Sequence, residues 1–210
     1  MTTVSPITTS AEGFVPNATS LATLHPLRMP RGGTDRLRFE TWDTFSVPGL
    51  DAPVRVHLEG HYVIERQTPT SPDWVEGSVD IRMRELAVEG RHELLGRVRA
   101  SVNEEIGLAS GGRVMAGTVY DGQHDEPKLC VMEGYMLFEL PDQGFTVFNK
   151  QPIPLQHKIT HIPPIGQGGG TPQQDFDGIP LFRKDDPDGD PAATLLKVET
   201  HIGAWLDDGR

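Results

Sequence analysis

The chain has 210 residues, 36% of them apolar and 23% charged, with a net charge of −11 at neutral pH. That balance excludes a nucleic-acid backbone or an anionic membrane surface as the main ligand, since both demand a basic footprint. No apolar run approaches the ~18 residues of a membrane-spanning helix. The single Cys130 excludes an intrachain disulfide framework and any multi-cysteine zinc site. The 23 glycines and 18 prolines favour many short elements over a few long helices. Residues 1–16 lack the basic and apolar regions of a secretory signal, so the expectation is a cytoplasmic, bacterial protein.

Residues 1–34 are rich in Thr, Ser and Pro and hold no period. They read as an arm, either a flexible tail or a strap across a neighbouring subunit in a homo-oligomer. Residues 35–210 then form one all-β domain. Leu37, Phe39 and Thr41 alternate with charged residues. Over 54–65, Val56, Leu58, Tyr62 and Ile64 take one face, and Arg55, His57, Glu59, His61 and Glu65 the other. Period two over that length predicts a half-buried strand.

Ile81, Met83, Val98, Ala100 and Val102 share one parity on either side of Gly90-Arg91. That dipeptide suits a two-residue hairpin turn with glycine at its first central position. The implied register sets Arg84 opposite Arg97 and Arg82 opposite Arg99. A strand follows over 114–120 and a polar loop over 121–127. The 128–140 strand has Cys130, Met132, Met136, Phe138 and Leu140 on one face and Leu129, Val131, Tyr135 and Leu137 on the other. Apolar on both sides, it is expected to be central and covered twice. Further strands are expected over 145–148, 153–162 and 194–202, the last with Leu196, Val198 and Ile202 inward, and Trp205 plugs an end of the core. Residues 166–191 read as a long Gly/Asp-rich loop or lid. Its glycines lack the Gly-Lys-Ser/Thr of a phosphate loop. Seven to nine strands with minor helix predict an antiparallel β-sandwich or flattened β-barrel.

Four groups of side chains invite a chemical reading. Glu133 sits mid-strand among Leu129, Val131, Tyr135 and Leu137, where burial would raise its pKa and suit it to act as a general acid. His157 and His161 share parity with Ile153, Leu155 and Ile159, so both are expected to point inward, one as a base. Glu133, Tyr135, His157 and His161 are therefore the candidate catalytic set. His57, Glu59 and His61 share one strand face and form the alternative metal set. At ~3.3 Å per residue, the two histidines lie roughly 13 Å apart, too far to share one ion on a regular strand. Arg82, Arg84, Arg97 and Arg99 form an anion or interface patch. Asp186, Asp188 and Asp190 alternate as calcium ligands do, but the sixth and twelfth loop positions, Pro191 and Lys197, exclude an EF-hand.

Polar groups on otherwise apolar strand faces are the pattern of a small-molecule pocket. The sequence is therefore read as a small-molecule-binding β-domain, an acid–base enzyme of isomerase, cyclase or lyase type. Two rivals stand beside it. One is a metalloenzyme, which alone requires a cofactor, a divalent metal. The other is a structural protein assembled through its arm.

Overall fold

The computed structural model describes residues 29–73, 76–116 and 128–206, and the structural statements below refer to these. They contain no helix. Twelve antiparallel strand segments run in chain order as β1 (Gly33–Ser46), β2 (Val54–Arg66), β3 (Val79–His92), β4 (Gly96–Val102), β5 (Gly111–Val114), β6 (Lys128–Gly134), β7 (Met136–Leu140), β8 (Phe145–Asn149), β9 (Ile153–Ile159), β10 (Gly168–Gly170), β11 (Ile179–Arg183) and β12 (Ala193–Trp205). All belong to one sheet, and β1 pairs with β12, so the sheet closes into a barrel. The all-β antiparallel expectation holds, but twelve segments exceed the seven to nine expected.

The excess arises because half of the barrel wall is interrupted. β1, β2, β3 and β12 are continuous staves of 13 or 14 residues. β3 pairs with β4 over Ala87 to His92 and with β5 over Val79 to Arg82, so β4 and β5 are two halves of one stave. β7 and β6 pair with those halves in turn, β8 and β9 with the next, and β11 and β10 with different stretches of β12. The result is an eight-stave up-and-down barrel, each stave beside its neighbour in sequence. Closure removes both sheet edges, which would otherwise be open to pairing.

The interruptions expose backbone groups that strands would have paired, and buried polar side chains take them up. Asn149 accepts from the Met136 N–H at 2.7 Å and donates to the carbonyls of Gly134 and Gln151 at 2.8 and 2.7 Å. At Tyr135, the backbone N–H donates to Ser110 Oγ at 2.8 Å, and the carbonyl accepts from the Asn103 N–H at 2.7 Å. Ser110 and Asn149 are both buried where they serve these groups with their side chains, whereas Asn103 contributes its backbone N–H.

Inward parity follows the sequence closely. Leu37, Phe39 and Thr41 on β1, Val56, Leu58, Tyr62 and Ile64 on β2, and Cys130, Met132, Met136, Phe138 and Leu140 on β6 and β7 are all buried. Several expectations need correction. The hairpin turns at 93–95, with Gly96 at φ +73°. Gly90 stays in the strand because a Cβ there would lie 1.9 Å from the His57 carbonyl oxygen, so its glycine serves close approach of β2. Residues 166–191 contain β10 and β11. The Gly168–Gly170 strand is glycine for the same reason, since Cβ atoms at Gly168 and Gly170 would meet the Thr200 and Val198 carbonyl oxygens at 2.4 and 2.3 Å. A register shift between Thr44 and Phe45 turns Leu195 inward and leaves Leu196 half-buried. Trp205 is 56% exposed, its indole donating to Asp35 at 3.4 Å. Of the expected arm, residues 1–28 lie outside the described residues, as do 117–120 and the 121–127 loop; Gly33 and Thr34 already belong to β1.

Candidate functional site

Inward parity on eight staves makes the lumen apolar, and three cavities lie along it. At one end is an open mouth of about 370 Å³, lined by Phe45, Leu50, Leu94, Leu95, Phe138 and Leu181 among others. Leu50 and Leu94 are 37% and 55% exposed on its rim. Phe138 also lines a middle cavity of about 30 Å³, which holds Thr41, Asp43 and Thr200. Phe39, Met83, Leu155 and Thr200 are shared between that space and a far cavity of about 40 Å³. Asp35, Tyr62, Arg66, Cys130 and His157 line the far cavity. The two inner voids suit water-sized groups, whereas the mouth is large enough for a small organic molecule.

At the far end Arg66 clasps Asp35, with Nε and Nη2 donating to its two carboxylate oxygens at 2.5 and 3.1 Å. Arg66 also donates to the carbonyl of Arg31. Deeper in, Tyr62 packs on Phe39 with ring centroids 4.9 Å apart. Its hydroxyl is buried without a hydrogen-bond partner among the described residues. Burial first, then the neighbouring Cys130 and Asp35, push its pKa above the ordinary tyrosine value, so it is a donor at neutral pH. His157 Nδ1 is likewise buried and unpartnered among the described residues. Burial lowers that imidazole to about 4, so the ring is neutral at pH 7. Gly169 makes room for it, since a Cβ there would lie 2.2 Å from Nδ1. Burial also pushes the Cys130 thiol up to about 12 and keeps it protonated. In the middle cavity Thr41 Oγ1 donates to Asp43 Oδ1 at 2.6 Å. Burial raises Asp43 to about 7, and the Thr41 bond offsets only part of that rise.

The structure separates the expected catalytic set. His157 faces the lumen. Glu133 is exposed, because Met132 and Gly134 take the inward parity. The outer face of β6 and β7 is half-buried rather than covered, so a carboxylate there meets solvent. Tyr135 is half-buried at the junction of β6 and β7. His161 lies beyond the end of β9 and is exposed; its Nε2 donates to the Ile165 carbonyl at 3.1 Å.

The outer wall disperses the other sets. His57 stacks on Trp42 at 4.7 Å, its nitrogens 3.4 and 3.7 Å from Glu59 and Glu40. His61 contacts Glu85 at 2.8 Å and Arg36 at 3.1 Å. No group of three or more His, Cys, Asp or Glu side chains is placed to hold a metal among the described residues. The arginine register is corrected as well. Arg82 stands opposite Glu65 and Gly111, Arg84 pairs with Glu65, Arg99 with Glu89 at 2.5 Å, and Arg97 faces Arg91 with Asp142 beside both. Asp186, Asp188 and Asp190 lie on the turn between β11 and β12, where Asp188 is 97% exposed and reaches Lys150 at 3.4 Å. Among the described residues no helix is long and apolar enough to cross a membrane.

Sequence reasoning placed Tyr62 inward without noticing its hydroxyl, and missed Asp35 and Asp43. Asp43 was within reach, since it continues the parity of Leu37, Phe39 and Thr41.

Fold and lumen together define an antiparallel up-and-down barrel whose apolar interior carries a few unpartnered polar groups. The chain belongs to DUF6073, a family of unknown function, which it matches over residues 4–210. Among solved structures it is similar to DynF from the dynemicin biosynthesis pathway of Micromonospora chersina. The two share 29% identity and a TM-score of 0.78, over 98% of this chain and 94% of that one. No curated protein matches the chain at a significant level.

Proposed function

We propose that the barrel binds a small, largely apolar organic molecule, with its body in the Leu50/Leu94 mouth and its inner end directed down the lumen. The observation that carries this reading is the pair of buried, unpartnered polar atoms, Tyr62 Oη and His157 Nδ1, in an apolar interior. Leaving such atoms unpaired costs about 1–3 kcal/mol each, a cost that a water or a ligand group offsets. An apolar opening of about 370 Å³ at the other end gives a ligand its entrance. The likeness to a protein of a biosynthesis pathway supports a small-molecule role. Acid–base chemistry of isomerase, cyclase or lyase type falls in this reading to His157 as base, against the burial that lowers its ring to about 4, and to Tyr62 as donor.

Nile red, a neutral apolar dye, tests the reading. One dye per chain should bind saturably with blue-shifted emission. Ala192→Trp, which fills the mouth from outside the strands, should weaken binding at least tenfold without changing the far-ultraviolet circular dichroism. Absence of saturable binding, or binding indifferent to Ala192→Trp, refutes it.

A further inference from the structure

Asp43 is buried in the middle cavity, between the mouth and the Tyr62/His157 end. Most buried carboxylates are paired with a cation. This one is not: its single hydrogen-bond partner among the described residues is Thr41, which donates to Oδ1. The remaining residues around the cavity come from β1, β3, β4, β7, β9 and β12 and are apolar except Thr200. On β2, the residues beside Asp43 and Thr41 are Val56 and Leu58. The titratable groups of the adjoining cavity are the Asp35–Arg66 pair, Tyr62, Cys130 and His157. Packing rather than charge therefore governs the Asp43 proton. A carboxyl group enclosed this way stays mostly protonated below neutral pH, and its second oxygen then carries an O–H with no acceptor among the described residues.

Phe45 and Phe138 meet edge to face with centroids 5.4 Å apart, and both line the mouth. Phe138 lines the middle cavity too, so the two packed rings close the mouth off from Asp43, and a group that parts them meets Asp43 before any other carboxyl among the described residues of the lumen.

We propose that Asp43 is a neutral hydrogen-bond donor to the ligand, and that the ligand is an uncharged molecule with an oxygen acceptor, a carbonyl above all, on the part that passes the two phenylalanines. A carboxylate at that point would be rejected, because it brings a second acid into an apolar space without a cation. The proposal rests on the lumen-binding reading and adds the ligand's chemical class.

The test is competition against bound Nile red by 2-octanone and n-octane, equal in chain length and differing by one carbonyl. At pH 5.5 the ketone should compete about fivefold better than the alkane, the worth of one hydrogen bond. The advantage should vanish by pH 8.5 in the native protein, where Asp43 is ionised. It should persist at both pH values in Asp43→Asn, whose amide still donates, and be absent at both in Asp43→Leu. Equal competition by ketone and alkane at pH 5.5 in the native protein overturns the donor role while leaving the lumen reading intact. Failure of both to displace the dye overturns the lumen reading itself. The native pH comparison decides the matter even if Asp43→Leu fails to fold.

Discussion

Replacing Asp43 by asparagine should change how stability depends on pH, in a direction the lumen dictates. Burial raises the carboxyl from the 3.8 of an unperturbed aspartate to about 7. Folding therefore favours the protonated form. The contribution is fully present below the unfolded value, near pH 4, and is lost as pH rises through 7. Roughly three pH units at ~1.4 kcal/mol each make that loss about 4 kcal/mol. Asparagine cannot ionise, keeps an oxygen for the Thr41 hydroxyl, and matches the neutral acid in shape. The variant should equal the native protein within about 1 kcal/mol at pH 4.5 and exceed it by about 3–4 kcal/mol at pH 8.5. For a chain of this length that gap moves Tm by roughly 6–16 °C. Urea unfolding of both proteins at half-unit intervals from pH 4.5 to 8.5 measures the difference directly, and other titrating groups cancel in the subtraction. A difference that stays constant across the range would show that Asp43 is ionised in the folded state, and the argument from burial would be wrong.

His157 should act in the opposite sense. Its ring is depressed from 6.5 to about 4, so the stability present above pH 6.5 is lost as pH falls through 4, about 3 kcal/mol in all. His157→Gln should flatten that acid limb in the same urea series. Tyr62→Phe removes an unpartnered hydroxyl and should leave the empty protein as stable or more so by thermal melting. Gly90→Ala should destabilise strongly or prevent folding, since its Cβ would meet the His57 carbonyl oxygen at 1.9 Å; limited proteolysis would report the loss. Glu133→Gln should leave Nile red affinity unchanged and stability within about 0.5 kcal/mol, because the carboxylate faces solvent.

Parity was the legible part of this fold. Wherever one face of a strand is apolar and the other charged, as over β2, the alternation decides which side is inward. It fails where outer faces are themselves apolar. Leu129, Val131 and Leu137 made Glu133 look enclosed, although closing the barrel leaves that face outside. Glycine misled for a related reason. At Gly90 and over Gly168–Gly170 it marks close backbone approach between staves, a long-range contact that local turn rules read as a bend or a lid. Of the site, His157 and the inward side of Tyr62 were legible. Asp43 shares the parity of Phe39, Thr41 and Phe45, so the sequence already sets it on their side, but a lone carboxyl in an alternating run reads as one more charged residue.

The pairing of β1 with β12 sets Phe39 opposite Ile202 and Phe45 opposite Leu195, while every other stave pairs with its neighbour in sequence. A chain emerging from the ribosome can therefore zip seven staves as successive hairpins, but it cannot close. Joining ends some 160 residues apart costs on the order of 4 kcal/mol in loop entropy, and no closing contact is available until β12 has been made. Until then β1 and the β10/β11 stave are open edges on a curved, apolar sheet. β12 serves both, together with the glycine strand. Synthesis halted before Ala193 would thus leave an aggregation-prone sheet with two sticky margins. The thirteen residues of the last stave carry more of the solubility of the nascent protein than their share of its length.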